Sequence, residues 1–332
     1  MPSTTVERSH PQFSPDGKEL AFIEDRNRLM VLNLETKKVR RITDGSTWYS
    51  TSGGFDYAWS PDSKWFTLEF IGNKHDPYSD IGLVSAQGNG EIINLTNSGY
   101  SSGSPSFALD GNAILFTTER YGMRAHASWG SLDDAMLVFL NQDAYDKFSL
   151  SKEDYELYKE ANSDRKKVAA KDSSKVKDVV VELKNIEDRI VRLTPNSSNM
   201  GSTLISKDGK ALYYLASTES GRNLWKMDLN KKETKLLHKV DAGWTSLEMD
   251  KEGKTLFILN GKNMQKMNLA SDDLKPIKYL AQVKLDLSAE REYMFDHVYK
   301  QQQKRFYNTN MHGVNWDAMT AAYRKFLPHI DN

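Results

Sequence analysis

Phe13-Ser-Pro-Asp-Gly-Lys18 is the first of five cognate turn signals in this 332-residue chain. The others are Trp59-Ser-Pro-Asp-Ser-Lys64, Phe107-Ala-Leu-Asp-Gly-Asn112, Ile205-Ser-Lys-Asp-Gly-Lys210 and Met249-Asp-Lys-Glu-Gly-Lys254. Their acidic residues fall at 16, 62, 110, 208 and 252, with spacings of 46, 48, 98 and 44. The 98 is one normal repeat plus about 50 inserted residues. Such a period constrains the fold strongly, because each repeat must be one unit that buries its faces against neighbours.

Each repeat has the same grammar. Pro presets φ for a turn, Asp can bond nearby backbone N–H groups, and Gly takes positive φ without penalty. A short apolar run follows, such as Glu19–Ile23 or Ala211–Leu215. A second comes next, such as Leu29–Leu34 or Leu224–Leu229. A third closes on Leu/Ile-Thr, as in Val39–Thr43, Glu91–Thr96 and Arg189–Thr194. With the strand before the turn, this makes four short antiparallel strands per repeat, which is a β-propeller blade. A β-sandwich with chance similarity among its turns explains the data less well, because turn chemistry and strand order recur together. The expected fold is all-β with a C-terminal helical segment: a propeller over 1–284 with five to six visible blades. The first signal lies so near Met1 that the inner strand of its blade is expected to be barely present, with further blades absent upstream.

A charged insertion of about 141–178 interrupts blade three. Ala135–Leu140 reads as the third strand of that blade. Ser151 with Asp154 three residues on resembles a capping box, so Ser151–Lys159 is expected to be helical. The rest reads as a solvated loop, and Val179–Leu183 as a return to strand. After Leu287 the period changes from 2 to 3.6. Ser288 is the expected N-cap of a helix with Met294, Phe295, Val298, Tyr299 and Phe306 on one face. A second helix opens at Val314–Asp317, carries Trp316, Met319, Tyr323, Phe326 and Leu327 as its stripe, and ends at Pro328. The span 285–332 is therefore read as a second, helical unit.

Composition excludes several functions. Lys+Arg and Asp+Glu both number 45, so no net field points to nucleic acid. Cysteine is absent, which removes disulfides, thiolate zinc sites and a cysteine nucleophile. No run approaches the ~20 apolar residues of a membrane span. Met1–Gln12 lacks the apolar core of a signal peptide. There is no Gly-x-Ser-x-Gly elbow, phosphate loop or His-Glu-x-x-His helix. The seven histidines are dispersed. His126 lies beside Ser128 and near Asp133, but adjacency in sequence is not triad geometry. His75 and His312 read as turn residues. Residues 98–104 read as an inter-blade connection able to rim a channel mouth. No catalytic, cofactor-binding or metal-ligating residue is expected, and no cofactor.

Three stretches together resemble one family. Tyr121–Gly130 is similar to the third-blade loop of tricorn protease and its bacterial homologues. Asn185–Leu193 is similar to that family's strand after a charged insertion. The most specific match is Met294-Phe-Asp-His-Val-Tyr299, Phe306-Tyr-Asn-Thr-Asn-Met-His-Gly-Val-Asn-Trp-Asp317 and Tyr323–Pro328, which resembles the opening of the family's first core domain. The blade turns alone are shared with Tol-associated propellers. The resemblance implies the second propeller and core start of a serine peptidase that degrades oligopeptides. It implies that the propeller channels peptides and that PDZ-like and second core domains are partners, in a cytoplasmic homo-oligomer. A removed leader would instead place the protein in the periplasm. The family's catalytic histidine and serine lie in motifs that this sequence does not contain, so neither His312 nor His329 takes that role, and the chain alone is expected to be inactive. The rival reading is a stand-alone TolB-like propeller that binds a protein partner.

Overall fold

The computed structural model describes residues 6–330 apart from 52, 73–74, 89, 127–128, 162–175, 218–220, 244 and 262. Contacts divide the chain into two units, Met1–Ile277 and Lys278–Asn332.

Among the described residues, the first unit holds five four-stranded antiparallel sheets, each one blade of a β-propeller. Blade 1 is β1 (Arg8–Phe13), β2 (Glu19–Glu24), β3 (Arg28–Asn33) and β4 (Val39–Arg41). Blade 2 is β5 (Tyr57–Trp59), β6 (Trp65–Phe70), β7 (Asp80–Ser85) and β8 (Ile93–Asn94). Blade 3 is β9 (Ser102–Ala108), β10 (Ala113–Thr118), β13 (Asp134–Phe139) and β14 (Ile190–Arg192), with the hairpin β11 (Arg124–His126) and β12 (Trp129–Ser131) inserted after β10. Blade 4 is β15 (Asn199–Ile205), β16 (Ala211–Ser217), β17 (Arg222–Asp228) and β18 (Glu233–Ala242). Blade 5 is β19 (Thr245–Met249), β20 (Thr255–Asn260), β21 (Asn263–Asn268) and β22 (Leu274–Ile277). The inner strand of blade 1 is six residues long, so the expectation that it is barely present is corrected.

The apolar runs are continuous because a middle blade is buried on both faces. In β10, Ala113 and Leu115 pack toward blade 4, while Ile114 and Phe116 pack toward blade 2. All six residues of β13 are buried. Period-2 geometry sends alternate side chains to opposite faces, so both registers must be apolar.

The turn signals work as their chemistry predicts. In blade 1 the Ser14 hydroxyl donates to Asp16 at 2.6 Å and accepts from Glu19 N–H, while Asp16 accepts from Lys18 N–H. Ser60 with Asp62 and Ser206 with Asp208 repeat this geometry. The serine hydrogen bond holds the Asp16 carboxyl below its ordinary range. The Leu/Ile-Thr close also has a physical role. Thr43, Thr96 and Thr194 each accept, through Oγ1, the backbone N–H of the third strand of their blade, at Leu29, Ile81 and Ala135.

Two glycines separate strain from crowding. Gly17 has φ +71 with nothing within 4 Å of an added Cβ, whereas at Gly88 (φ +74) that Cβ would collide with the Arg41 carbonyl oxygen. Gly17→Ala is expected to destabilise by ~1 kcal/mol from conformation alone. Gly88→Ala is expected to cost about 2–3 kcal/mol, since backbone must also shift. Thermal melts of the pair check this, and equal shifts would refute the difference.

The insertion carries one helix that the sequence reading missed. α1 (Gln142–Ser149) is capped by Asn141, whose Oδ1 accepts from Ala144 N–H, and Tyr145 and Phe148 pack on Phe139. α2 (Lys152–Ala161) follows, with Ser151 and Asp154 forming the expected box. The predicted solvated loop lies largely outside the described residues. Val179–Leu183 is not a strand. It packs against blades 2 and 3, where Val179 N–H donates to the Asp62 carboxylate and Glu182 N–H to Leu140 O. Those side-chain and single backbone bonds satisfy it without a ladder.

In the second unit, α3 (Leu287–Arg305) is capped by Asp286, not Ser288, because the Asp286 carboxylate accepts from Ser288 and Ala289 N–H. α4 spans Trp316–Arg324, and Pro328 lies in a separate 3₁₀ turn, Leu327–His329. Tyr299 stacks on Trp316, and Arg324 lies over Phe295 while pairing with Glu292 and Asp296. Met294 and Val298 are exposed, so only part of the expected stripe of α3 meets α4.

Candidate functional site

The first strands of all five blades line one cavity of about 1310 Å³. His10, Asp56, Ser104, Asn199, Arg222 and Glu248 are among its wall residues, one or two from each blade. The wall is mostly hydroxyl, amide and backbone, with few charges. Such a lining can hydrogen-bond an extended chain without holding one side chain tightly.

The wall is shaped by three inner-strand bulges. In β1, His10 and Pro11 face Phe22 alone. In β9, Ser104 and Pro105 face Phe116 alone. In β15, Gly201 and Ser202 face Leu215 alone. His10 and Ser104 sit at φ 53 and 51, a conformation that favours glycine. A bulge frees backbone groups from the ladder, and at His10 and Ser104 the neighbouring blade takes one. The Tyr57 hydroxyl donates to His10 O, and Ser104 N–H donates to Glu69 at 2.7 Å. Leu247 N–H donates to the Ser202 hydroxyl. The bulges are thus the points where blades 1–2, 2–3 and 4–5 are stitched along the channel.

Two carboxyls beside wall residues are perturbed. Burial, and then the Asp56 charge, push Glu69 up to about 7. Burial, then Glu119 and Asp134, push Asp133 up to about 6, while Arg222 acts the other way. Burial also raises the Tyr57 hydroxyl above its usual value.

The histidines singled out above do not converge. His75 Nδ1 lies 2.5 Å from the buried Asp80, which also accepts from Thr96, Ser98 and Asn94. His312 contacts the Tyr307 hydroxyl at 2.6 Å in the second unit. Ser128 and the side chain of His126 lie outside the described residues. Asp133 pairs through its backbone with Ser198. Residues 98–104 are only partly a connection, since Ser102–Ser104 belong to β9 and Ser104 reaches the channel wall. Among the described residues, no three His, Asp or Glu side chains are grouped as a metal site requires, and no helix is long and apolar enough to cross a membrane.

Sequence reasoning missed Asp56, Glu69 and the bulges. One signal was available: His10-Pro11 and Ser104-Pro105 both stand three residues before the aromatic of their turn signal. Pro inside a strand marks a bulge or edge.

Comparison with known proteins agrees with this architecture. Residues 287–332 match the family described as the tricorn protease C1 domain. A putative tricorn-like protease C-terminal subunit from Sulfurisphaera tokodaii is 25% identical over 96% of this chain and 36% of its own length. The crystal structure of the tricorn protease superposes with a TM-score of 0.69, covering 100% of this chain and 32% of that one at 13% identity. A putative TolB from Agrobacterium tumefaciens superposes over 82% of this chain and 81% of its own, with a TM-score of 0.52 and 14% identity, so the propeller fold is shared. The chain spans about a third of the length of the tricorn relatives it matches. With its blades followed by a stretch that matches the C1 domain, the chain is similar to tricorn proteases along its whole length.

Proposed function

We propose that this chain provides the substrate-channel propeller of a tricorn-like serine peptidase and carries no catalytic residues of its own. The observation that carries the reading is the cavity lined by the inner strands of all five blades, in a chain that also matches the C1 domain. Hydroxyls, amides and bulged backbone suit passage of oligopeptides, whose own amides need partners but whose side chains vary. The charged side chains of the wall are few, so selection acts on size and backbone more than on one residue type. The catalytic groups, a PDZ-like domain and a second core domain belong to the remainder of the peptidase, in a cytoplasmic homo-oligomer. A stand-alone protein-binding propeller would leave the C1 match without a purpose.

The test is direct. The purified chain is incubated with a panel of fluorogenic oligopeptides. No turnover above buffer is expected, while fluorescence anisotropy shows weak, salt-tolerant binding of labelled peptides. Turnover abolished by a serine-directed inhibitor would overturn the absence of catalytic residues. Absence of any peptide binding would overturn the channel.

A further inference from the structure

The seam between blades 2 and 3 differs from the other stitched seams in what holds it. Tyr57 and Ser202 supply hydroxyls to theirs. Here two carboxylates of blade 2 converge on one residue of blade 3. Ser104 N–H donates to Glu69 Oε1 at 2.7 Å, and the Ser104 hydroxyl donates to Asp56 Oδ2 at 3.2 Å. Asp56 N–H reaches the other Glu69 oxygen at 3.4 Å. Glu69 is pressed against the blade 3 backbone, since a Cβ added at Gly103 would lie 2.5 Å from its Oε1. Ser104 is held at φ 51 within its bulge. Among the described residues, neither carboxylate has an ion-pair partner.

We propose that this seam is a pH-sensitive clasp in the channel wall, closed while Glu69 is neutral and loosened when Glu69 ionises beside Asp56. Among the described residues, the elements around Glu69 supply no compensating cation. The approach to β5 gives Asp56, β9 gives Gly103 and Ser104, β10 gives Thr117 next to Gly103, and β7 places Ile81 opposite. An ionised Glu69 therefore gains hydration and distance from Asp56 by opening.

The sign follows from linkage. In the closed seam Glu69 titrates at about 7, raised by burial and Asp56, while an opened, hydrated Glu69 titrates near its ordinary value of about 4.5. Protons thus favour the closed form. Closure is at full strength below about 4.5, weakens as pH rises, and levels off above about 7. The clasp governs peptide passage only if the channel carries peptides as proposed above. The test reads the wall itself, so its failure and that of the channel reading are distinguishable.

Hydrogen exchange of the Ser104 amide, corrected for intrinsic chemistry, provides the test on the full chain. Its protection is expected to fall by up to about tenfold per pH unit between pH 5 and 7 and then to flatten. Leu247 N–H, at the hydroxyl-held seam of blades 4 and 5, is expected to stay level and separates local opening from global unfolding. Glu69→Gln is expected to abolish the pH dependence at Ser104. Asp56→Asn, which keeps the Glu69 carboxyl, is expected to give a smaller fall that ends at lower pH. Equal Ser104 protection at pH 5 and 8 in the unmodified chain would overturn the clasp, as would an unchanged profile in Glu69→Gln.

Discussion

Phe66→Ala is expected to destabilise the propeller unit by about 3–5 kcal/mol, the range for deleting a fully buried aromatic ring. Phe66 is 0% exposed and lies in the core between blades 1 and 2. Its ring centre is 4.0 Å from that of Trp59 and 5.9 Å from that of Tyr57. Those two residues also carry the seam. Tyr57 donates to His10 O and Trp59 Nε1 to Gln12 O, while Gln12 donates back to Tyr57 O. A cavity under both rings therefore loses packing and slackens the polar stitches together, so the cost belongs at the upper end. Urea unfolding would show a lower midpoint with little change in slope. Phe66→Leu, which keeps most of the volume, should lose well under half as much. A loss below ~1 kcal/mol for Ala would mean that the blades can collapse into the gap, against the rigidity argued for the stitched seam.

The repeat was legible because its signals are local. Ser14, Asp16 and Gly17 meet within one turn, and each residue's preference is set by its own neighbours. The apolar runs were legible because burial on both blade faces removes any ambiguity of pattern. The Leu/Ile-Thr close could be seen but not explained, since Thr43 acts on Leu29 across a strand pair. The carboxyls of the channel wall were not legible at all. Glu69 is one acidic residue in a β-run, and its character comes from burial against the next blade, where it meets Ser104, 35 residues away, and from the Asp56 charge. Val179–Leu183 misled for the opposite reason. Its composition favours a strand, but Leu140 and Asp62 give it single bonds and no edge to join. On α3, periodicity placed Met294 and Val298 in the same stripe as Phe295 and Tyr299, yet Trp316 stacks on Tyr299 and Arg324 lies over Phe295, while the other two stay exposed.

Arg189→Ala should be the other severe substitution, at about 3–5 kcal/mol, because it removes a buried charged donor and orphans several acceptors. Arg189 is 2% exposed and, among the described residues, has no carboxylate partner. Its Nε donates to Phe139 O at 3.1 Å, one terminal nitrogen to Lys184 O at 2.9 Å, and the other to Glu182 O. The guanidinium is thus a hub that ties the returning arm of the insertion to the end of β13. That arm has no ladder of its own, so the hub substitutes for one. Delocalised charge and a planar fork of about five donors let Arg satisfy carbonyls pointing in different directions, which an ammonium cannot do. Arg189→Lys is therefore expected to recover less than half of the loss. Limited proteolysis adds a local readout: the Ala variant should be cut between residues 176 and 189 under conditions that leave the unmodified chain intact there. Phe66 lies in the core of blades 1 and 2, while Arg189 bonds carbonyls at the end of β13 and in the arm, so with no shared partner the two losses should add to within about 0.5 kcal/mol. Full rescue by Lys would show that charge alone matters. A stable, uncut Ala variant would show that the arm is held by Asp62 and Leu140 without the hub.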